Sequence, residues 1–305
     1  MTRSSHLQTL LGRLNALVAA DTRNPGGSEE VLARALYPNL ERLRPDALVL
    51  ETLPGGHAYL FARWGAPRIL INAHLDTVPS GDGWTGHPLQ LRVQAERAVG
   101  LGAADTKGSI AALLTALDRA RPHDRAVLLS GDEEGASRCM EAFLASPHSR
   151  GVGAAVVCEP TGCRAGTGHR GILAFEVEVA GTGGHSSRAD TLPAPLLEAA
   201  RVAAALGAWG RGRNLCLNVA EMRGGVAYNV VPPGATLVVS VRPSAGSSLA
   251  AVRAELEAQV TRALPGAVCR WTLAQPPFST SRLSEFRNGL GAAACEAPLQ
   301  MGFWT

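Results

Sequence analysis

Three short apolar runs in this 305-residue chain end in side chains able to bind a metal or move a proton. Arg68–Ala73 leads into His74-Leu75-Asp76, Ala126–Ser130 into Asp132-Glu133-Glu134, and Ala154–Cys158 directly into Glu159. Between the first two, Gly100-Leu101-Gly102-Ala103-Ala104-Asp105 places a further carboxylate in a glycine-rich loop ahead of a helix-like segment. One loop carboxylate is ordinarily just a solvated charge. Several at the carboxyl ends of strands in one sheet share a ligand crevice, and there they repel one another unless a cation sits among them. Zinc accepts imidazole nitrogen and carboxylate oxygen, and a bridging carboxylate can hold two ions about 3.5–4 Å apart. Adjacent Glu133 and Glu134 cannot easily serve the same atom. One can ligate while the other acts as general base toward an attacking water.

The elements around these residues read as an α/β domain. Leu7, Leu10, Leu11, Leu14 and Leu17 recur at helical spacing, which predicts an amphipathic helix over residues 5–20. A second helix is expected from Ser28 to Arg44, opened by a serine cap with acidic residues in its first turn. Helical segments at Ser109–Ala120 and Met140–Leu144 alternate with nearly unbroken apolar runs at Ala58–Ala62, Arg68–Ala73, Ala126–Ser130 and Ala154–Cys158. Such runs suit strands covered on both faces, so a mostly parallel sheet is expected. After Thr167 the texture changes. Strands at Ile172–Ala180, Asn214–Ala220, within Tyr228–Arg242, and at Val268–Leu273 interleave with helices at Pro195–Leu206 and Ser248–Ala263. That β-α-β-β-α-β order is the split βαβ arrangement of a ferredoxin-like sandwich. Pro276-Pro277 then reads as a return to the first domain.

Composition narrows the function. Charged residues are 18% of the chain and the formal net charge is +3, which gives no basis for nucleic-acid or anionic-membrane binding. Of 29 basic residues only Lys107 is lysine, and it lies inside the densest motif, where it reads as a support for the loop. The six cysteines form no CxxC pair and read as reduced thiols. The apolar N-terminal stretch is broken by Arg13 and Asn15 and does not read as an export signal, so a cytoplasmic protein is expected.

Taken with their order and spacing, four segments resemble the signatures of the M20 metallopeptidase family. They are Asn72-Ala73-His74-Leu75-Asp76-Thr77-Val78-Pro79, Gly100–Gly108, Asp132-Glu133-Glu134-Gly135 and Cys158-Glu159-Pro160-Thr161. Gly184-His185-Ser186-Ser187 and Tyr228-Asn229-Val230-Val231-Pro232 resemble the pattern of that family's lid domain, and the acetylornithine and acetylcitrulline deacetylase branch is the nearest match. The resemblance implies a catalytic domain beginning at residues 1–167, an inserted lid and dimerisation domain at 168–275, and a return to the catalytic domain at 276–305. It assigns His74 and Glu159 to one ion, Asp105 as the bridge, Glu134 to a second ion, Asp76 as the group that orients His74, and Glu133 as general base. His185 corresponds to the lid histidine that reaches the partner subunit's site in a homodimer, and Asn229 and Arg242 to substrate-binding positions.

The implied activity is hydrolysis of an N-acyl amino acid with zinc or cobalt, N-acetylornithine or N-acetylcitrulline leading, in arginine biosynthesis. A succinyl-diaminopimelate desuccinylase or a dipeptidase would share every metal residue. Relatives carry a later histidine that completes the second ion's coordination, whereas no histidine follows His185 here. That departure leaves Asp105 and Glu134 for the second ion, and an inactive, C-terminally incomplete chain is the remaining expectation. His57 and four other histidines show no partner pattern and receive no role.

Overall fold

The structure, a computed structural model, describes residues 3–119, 123–213, 215–282, 284 and 299–301. The chain divides into two compact units, Met1–Pro160 and Thr161–Thr305. The expected helix end at Ala120 and strand start at Asn214 lie outside the described residues, as does most of 283–305.

The first unit runs α1 (Arg3–Ala19), α2 (Glu29–Glu41), β1 (Ala47–Leu53), β2 (His57–Trp64), β3 (Ile69–His74), a small hairpin β4 (Arg92–Gln94) and β5 (Arg97–Val99), α3 (Lys107–Leu117), β6 (Arg125–Ser130), α4 (Arg138–Ala145) and β7 (Ala154–Val157). Its main sheet has the order β1-β2-β6-β3-β7. The β6, β3 and β7 strands are parallel neighbours, while β2 pairs antiparallel with both β1 and β6. Four strands therefore share one direction and β2 alone opposes it.

Burial on both faces explains the unbroken apolar sequences. Along β2, Ala58, Leu60, Ala62 and Trp64 pack into one core with α1, α2 and α3, whereas Tyr59 and Phe61 join Phe143 and Cys139 of α4 in a second core. A two-residue side-chain period supplies both faces from one strand. The α1 stripe is only partly buried: Leu14 and Leu17 enter the core and Leu7 is exposed. Asp118, just past α3, accepts from Arg13 within α1 and Arg42 beside α2, which ties the three helices together.

One detail of α2 differs from expectation. Ser28 makes no side-chain cap bond, and its hydroxyl instead donates to the Gly56 carbonyl at 3.2 Å. Glu29, a first-turn acid as expected, is buried against His57. The β1 strand was also unpredicted, because Glu51 and Thr52 interrupt its apolar run.

The second unit contains β8 (Gly166–His169), β9 (Ile172–Ala180), β10 (Gly184–His185), α5 (Pro195–Gly210), β11 (Asn218–Gly224), β12 (Val230–Val231), β13 (Gly234–Val241), α6 (Leu249–Ala263), β14 (Val268–Gln275), β15 (Phe278–Ser279) and β16 (Leu299–Met301). An antiparallel sheet of order β11-β13-β9-β14 carries α5 and α6 on its apolar face, with Phe175, Val177, Leu237, Val239, Val202, Leu206, Leu256 and Val260 in the core. Strands β15 and β16 both pair with β8. Among the described residues no helix is long and apolar enough to cross a membrane, and the five cysteines described are unpaired.

The packing makes a direct prediction. Phe61 is fully buried with its ring centroid 5.2 Å from that of Phe143. Phe61→Ala should cost about 3–5 kcal/mol in urea unfolding, against within about 0.5 kcal/mol for Leu7→Ala on the exposed side of α1. Equal losses at the two positions would contradict this arrangement.

Candidate metal centre

Because β6, β3 and β7 are parallel neighbours, their carboxyl ends open onto one rim. His74 is the last residue of β3, Glu133 and Glu134 follow β6, and Glu159 follows β7. Asp105 arrives from the loop ahead of α3. That loop is fastened to β3 by Thr106, whose hydroxyl donates to the His74 carbonyl at 2.9 Å and accepts from the His74 amide at 3.0 Å. Lys107 acts as the sequence suggested: its buried ammonium donates to the Ala20 carbonyl at 2.9 Å, anchoring the loop to the end of α1.

Each residue that the resemblance assigned to the metals falls in one of two groups sharing His74, although neither group joins Asp105 to Glu134. Ligand atoms of His74, Asp105 and Glu159 lie within 4.8 Å of one another, and those of His74, Glu133 and Glu134 form a second such group. His74 Nε2 is 2.9 Å from Asp105 Oδ1. Its Nδ1 is 2.9 Å from the Asp76 carbonyl oxygen, which can only accept, so Nδ1 carries a hydrogen and Nε2 is the nitrogen turned toward the carboxylates. The Asp76 carboxylate lies 3.5 Å from Nδ1 and also accepts the amides of Glu133 at 3.1 Å and Glu134 at 3.0 Å. One fully buried side chain thus orients the histidine and fixes the turn bearing both glutamates.

The electrostatics of this rim are dominated by its carboxylates. Burial pushes Glu134 up to about 7, with the Glu133 charge adding to it and His74 opposing. Burial likewise raises Glu159 to about 7, and the charges of Asp105, Glu133 and Glu134 add to it while His74 opposes. Glu133 is raised by burial too, partly offset by His74. Burial disfavours the charged imidazole of His74, but hydrogen bonds to Asp105 and Asp76 and the surrounding negative potential overcome this and lift it to about 11. Every one of these shifts reports a concentration of negative charge that calls for a neutralising partner. A divalent cation would be such a partner, and one imidazole among carboxylates is a donor set that zinc or cobalt accepts.

The other expected site residues belong to the second unit. His185 lies in β10, paired with Val230 of β12, and Asn229 accepts the Ser186 amide at 3.0 Å, so these two exposed residues are neighbours. The Ser187 amide donates to His185 Nδ1 at 3.2 Å. Arg242 follows the far end of β13, where its carbonyl accepts from Arg170 at 2.9 Å. The strand between them has 8 residues, or about 26 Å at roughly 3.3 Å per residue. Sequence reasoning missed the polar residues behind Glu133, namely Asn24, Glu29, His57 and Arg138. Only Asp132, inside a quoted motif, gave any sign of them.

Comparisons with known proteins agree with this geometry. Residues 70–264 match the model of peptidase family M20/M25/M40. An N-acetyl-L-citrulline deacetylase of Xanthomonas campestris pv. campestris is 35% identical over 252 residues, 78% of this chain and 67% of that protein. A succinyl-diaminopimelate desuccinylase of an Azoarcus species is 31% identical over 270 residues, 79% of this chain and 70% of the relative. Among solved structures, the M20 family metallo-carboxypeptidase Sso-CP2 of Sulfolobus solfataricus superposes with TM-score 0.74 at 17% identity, covering 96% of this chain and 85% of the other. The Bacillus subtilis protein YXEP, described as a dinuclear metal-binding peptidase of the M20 family, gives TM-score 0.67 at 16% identity, covering 99% and 84%. These structural likenesses establish the mixed α/β fold.

Metal binding at this rim must expel protons, since ligands coordinate only when deprotonated. Calorimetric titration of the metal-free protein with Zn²⁺ at pH 7, in buffers of different ionisation enthalpy, should show release of at least one proton per ion, and His74→Ala should abolish the tight phase. Binding without proton release would contradict the electrostatics described.

Proposed function

The chain belongs to peptidase family M20/M25/M40 and is a hydrolase of amide bonds; on that footing we propose that it removes the acyl group from an N-acyl amino acid, with N-acetylcitrulline or N-acetylornithine as substrate. The observation that carries the reading is the meeting of His74, Asp105, Glu133, Glu134 and Glu159 on one strand-end rim. Zinc is the proposed ion, with cobalt as a substitute. His74 and Glu159 would hold one ion, Glu134 a second, and Asp105 would bridge them. A bound ion supplies Lewis acidity, easing ionisation of water and polarising the acyl carbonyl.

The protein's own groups do the rest. Glu133, beside a ligand but on the neighbouring residue, takes the proton from the attacking water and returns it to the leaving amine. Its raised proton affinity in a buried setting suits both transfers. Asp76 keeps the His74 ring in the tautomer that presents Nε2. His185 would donate to the developing oxyanion, with Asn229 beside it, and Arg242 would bind the α-carboxylate.

A homodimer follows from the same assignment. The ends of β13 separate His185 and Asn229 from Arg242 by more than the length of an acyl amino acid. Both groups can therefore act on one substrate only if His185 and Asn229 come from the second copy. This reading treats residues 168–275 as a ferredoxin-like lid and dimerisation domain inserted in the catalytic domain. A succinyl-diaminopimelate desuccinylase is the second reading, favoured by the several relatives of that name at 30–34% identity.

Two measurements test the proposal. Glu133→Gln should lower turnover by about 10²–10⁴-fold while bound metal, assayed by elemental analysis, stays unchanged; retained turnover would remove Glu133 from its role. A panel of N-acetylcitrulline, N-acetylornithine, N-succinyl-diaminopimelate and dipeptides should show the acetylated amino acids hydrolysed first. Preference for the succinylated compound would overturn the substrate assignment in favour of the second reading.

A further inference from the structure

Bonded to Asp76 and Asp132, the two aspartates that frame the Glu133-Glu134 turn, is a set of polar residues that the proposed reaction does not use. Asn24 is its hinge. Both hydrogens of its carboxamide are engaged, one with Asp76 Oδ2 at 3.1 Å and the other with Asp132 Oδ1 at 2.9 Å. Asp76 carries the Glu133 and Glu134 amides, while Asp132 is the residue from which that turn begins. Asn24 therefore links the carboxylate that holds the turn's backbone to the one that sets its entry.

Asp132 is fully buried and has φ +60, a left-handed conformation that its contacts must maintain. Arg138 grips it with Nε at 2.7 Å, Nη2 at 3.1 Å and the backbone amide at 3.0 Å. The same Nη2 donates to His57 Nε2 at 2.9 Å, which leaves the hydrogen on His57 Nδ1 to donate to Glu29 at 3.0 Å. Glu29 Oε1 in turn accepts the Asp132 amide at 3.3 Å. The circuit closes on itself. It also leaves no room for a side chain at position 135, where an added Cβ would sit 2.4 Å from Asp132 Oδ1 and 2.7 Å from Asn24 Nδ2.

Asn24 is placed as firmly as its partners. The 22–24 segment lies along 75–77 as a short parallel bridge, with Thr77 N donating to Thr22 O at 3.0 Å and Asn24 N donating to Thr77 O at 2.8 Å. We infer that Asn24, backed by the Asp132–Arg138–His57–Glu29 circuit, is a positioning residue that aims Glu133 at the reacting atoms and holds Glu134 toward its ion. The inference rests on the proposed hydrolase reading for its catalytic part, and on the rim geometry alone for its metal part.

The test uses the full chain with Asn24→Ala and Arg138→Lys. The second variant keeps the cation but loses the forked grip, and its half-exposed side chain makes it tolerant of change. Each is assayed for turnover of N-acetylcitrulline and, separately, for Zn²⁺ affinity by competition with a chromophoric chelator. Loss of supporting contacts around metal ligands typically costs 10–100-fold. Asn24→Ala should accordingly lower kcat by 10–100-fold with KM within threefold, and weaken Zn²⁺ binding about tenfold. Arg138→Lys should move both in the same direction by less, and it carries the test if Asn24→Ala does not fold. Unchanged kcat and Zn²⁺ affinity in variants that only melt at lower temperature would overturn the inference and leave the network purely structural. If the unmodified protein hydrolyses no acyl amino acid, the functional reading fails, and the zinc titration still decides the role of Asn24.

Discussion

Crowding of like charge at the end of a parallel sheet governs this molecule. Asp76, Asp105, Glu133, Glu134 and Glu159 gather around one imidazole, and burial withdraws the water that would otherwise screen them. Two kinds of partner offset that repulsion. From the outside, a cation can occupy the space that the ligand atoms enclose. From the inside, hydrogen-bond donors meet the carboxylates that face away from it, and Asp76 is the clearest case: two backbone amides and the Asn24 carboxamide converge on its oxygens. Burial alone would raise Asp76, but the His74 imidazole first, and then Asn24 and the Glu133 amide, hold it below the usual carboxylate range.

The sheet makes such an arrangement possible because its strands are clamped on both faces. Leu60 and Phe61, adjacent in β2, enter opposite cores, and each large apolar side chain buried in this way contributes about 1.5–3 kcal/mol. The rim inherits that rigidity, since His74 is the terminal residue of β3 and both glutamates follow β6 at once. The second unit is built differently. One face of its antiparallel sheet packs on α5 and α6, and its expected functional residues sit at strand ends and turns, with His185 and Asn229 exposed and Arg242 partly so.

Much of this was legible in the residues. An apolar run ending in His74 or Glu159 announces both a buried strand and a polar group at its tip, so the cluster at the rim is legible in the strand pattern, while the individual metal roles come only from the family resemblance. The period-two alternation of Ile172–Ala180 likewise gave β9 to the residue. What sequence reasoning missed has a common physical origin. Direction within a sheet depends on long-range pairing, so nothing local in Ala58–Ala62 says that β2 runs against its neighbours. Glu29 at the start of a helix looks like a solvated acid favoured by the helix dipole, and His57 looks like a surface histidine. Only their mutual burial makes them a pair. Asn24 follows a helix end and precedes Pro25, where a turn residue is the ordinary expectation.

The bond between Asn24 and Asp132 joins positions separated by 108 residues. Closing a flexible chain over such a span carries an entropic cost on the order of 4 kcal/mol, from the logarithmic dependence on loop length. Four of the five strands of the main sheet, all but β7, lie within that loop, so most of this cost is met once those strands have paired. Docking of the 22–24 segment along 75–77 is then the step that completes the rim. A chain whose sheet is formed but whose amino-terminal segment is still undocked has the rim's side chains without the Asn24 bonds that fix the Glu133-Glu134 turn, so the candidate site takes its final shape only with that docking.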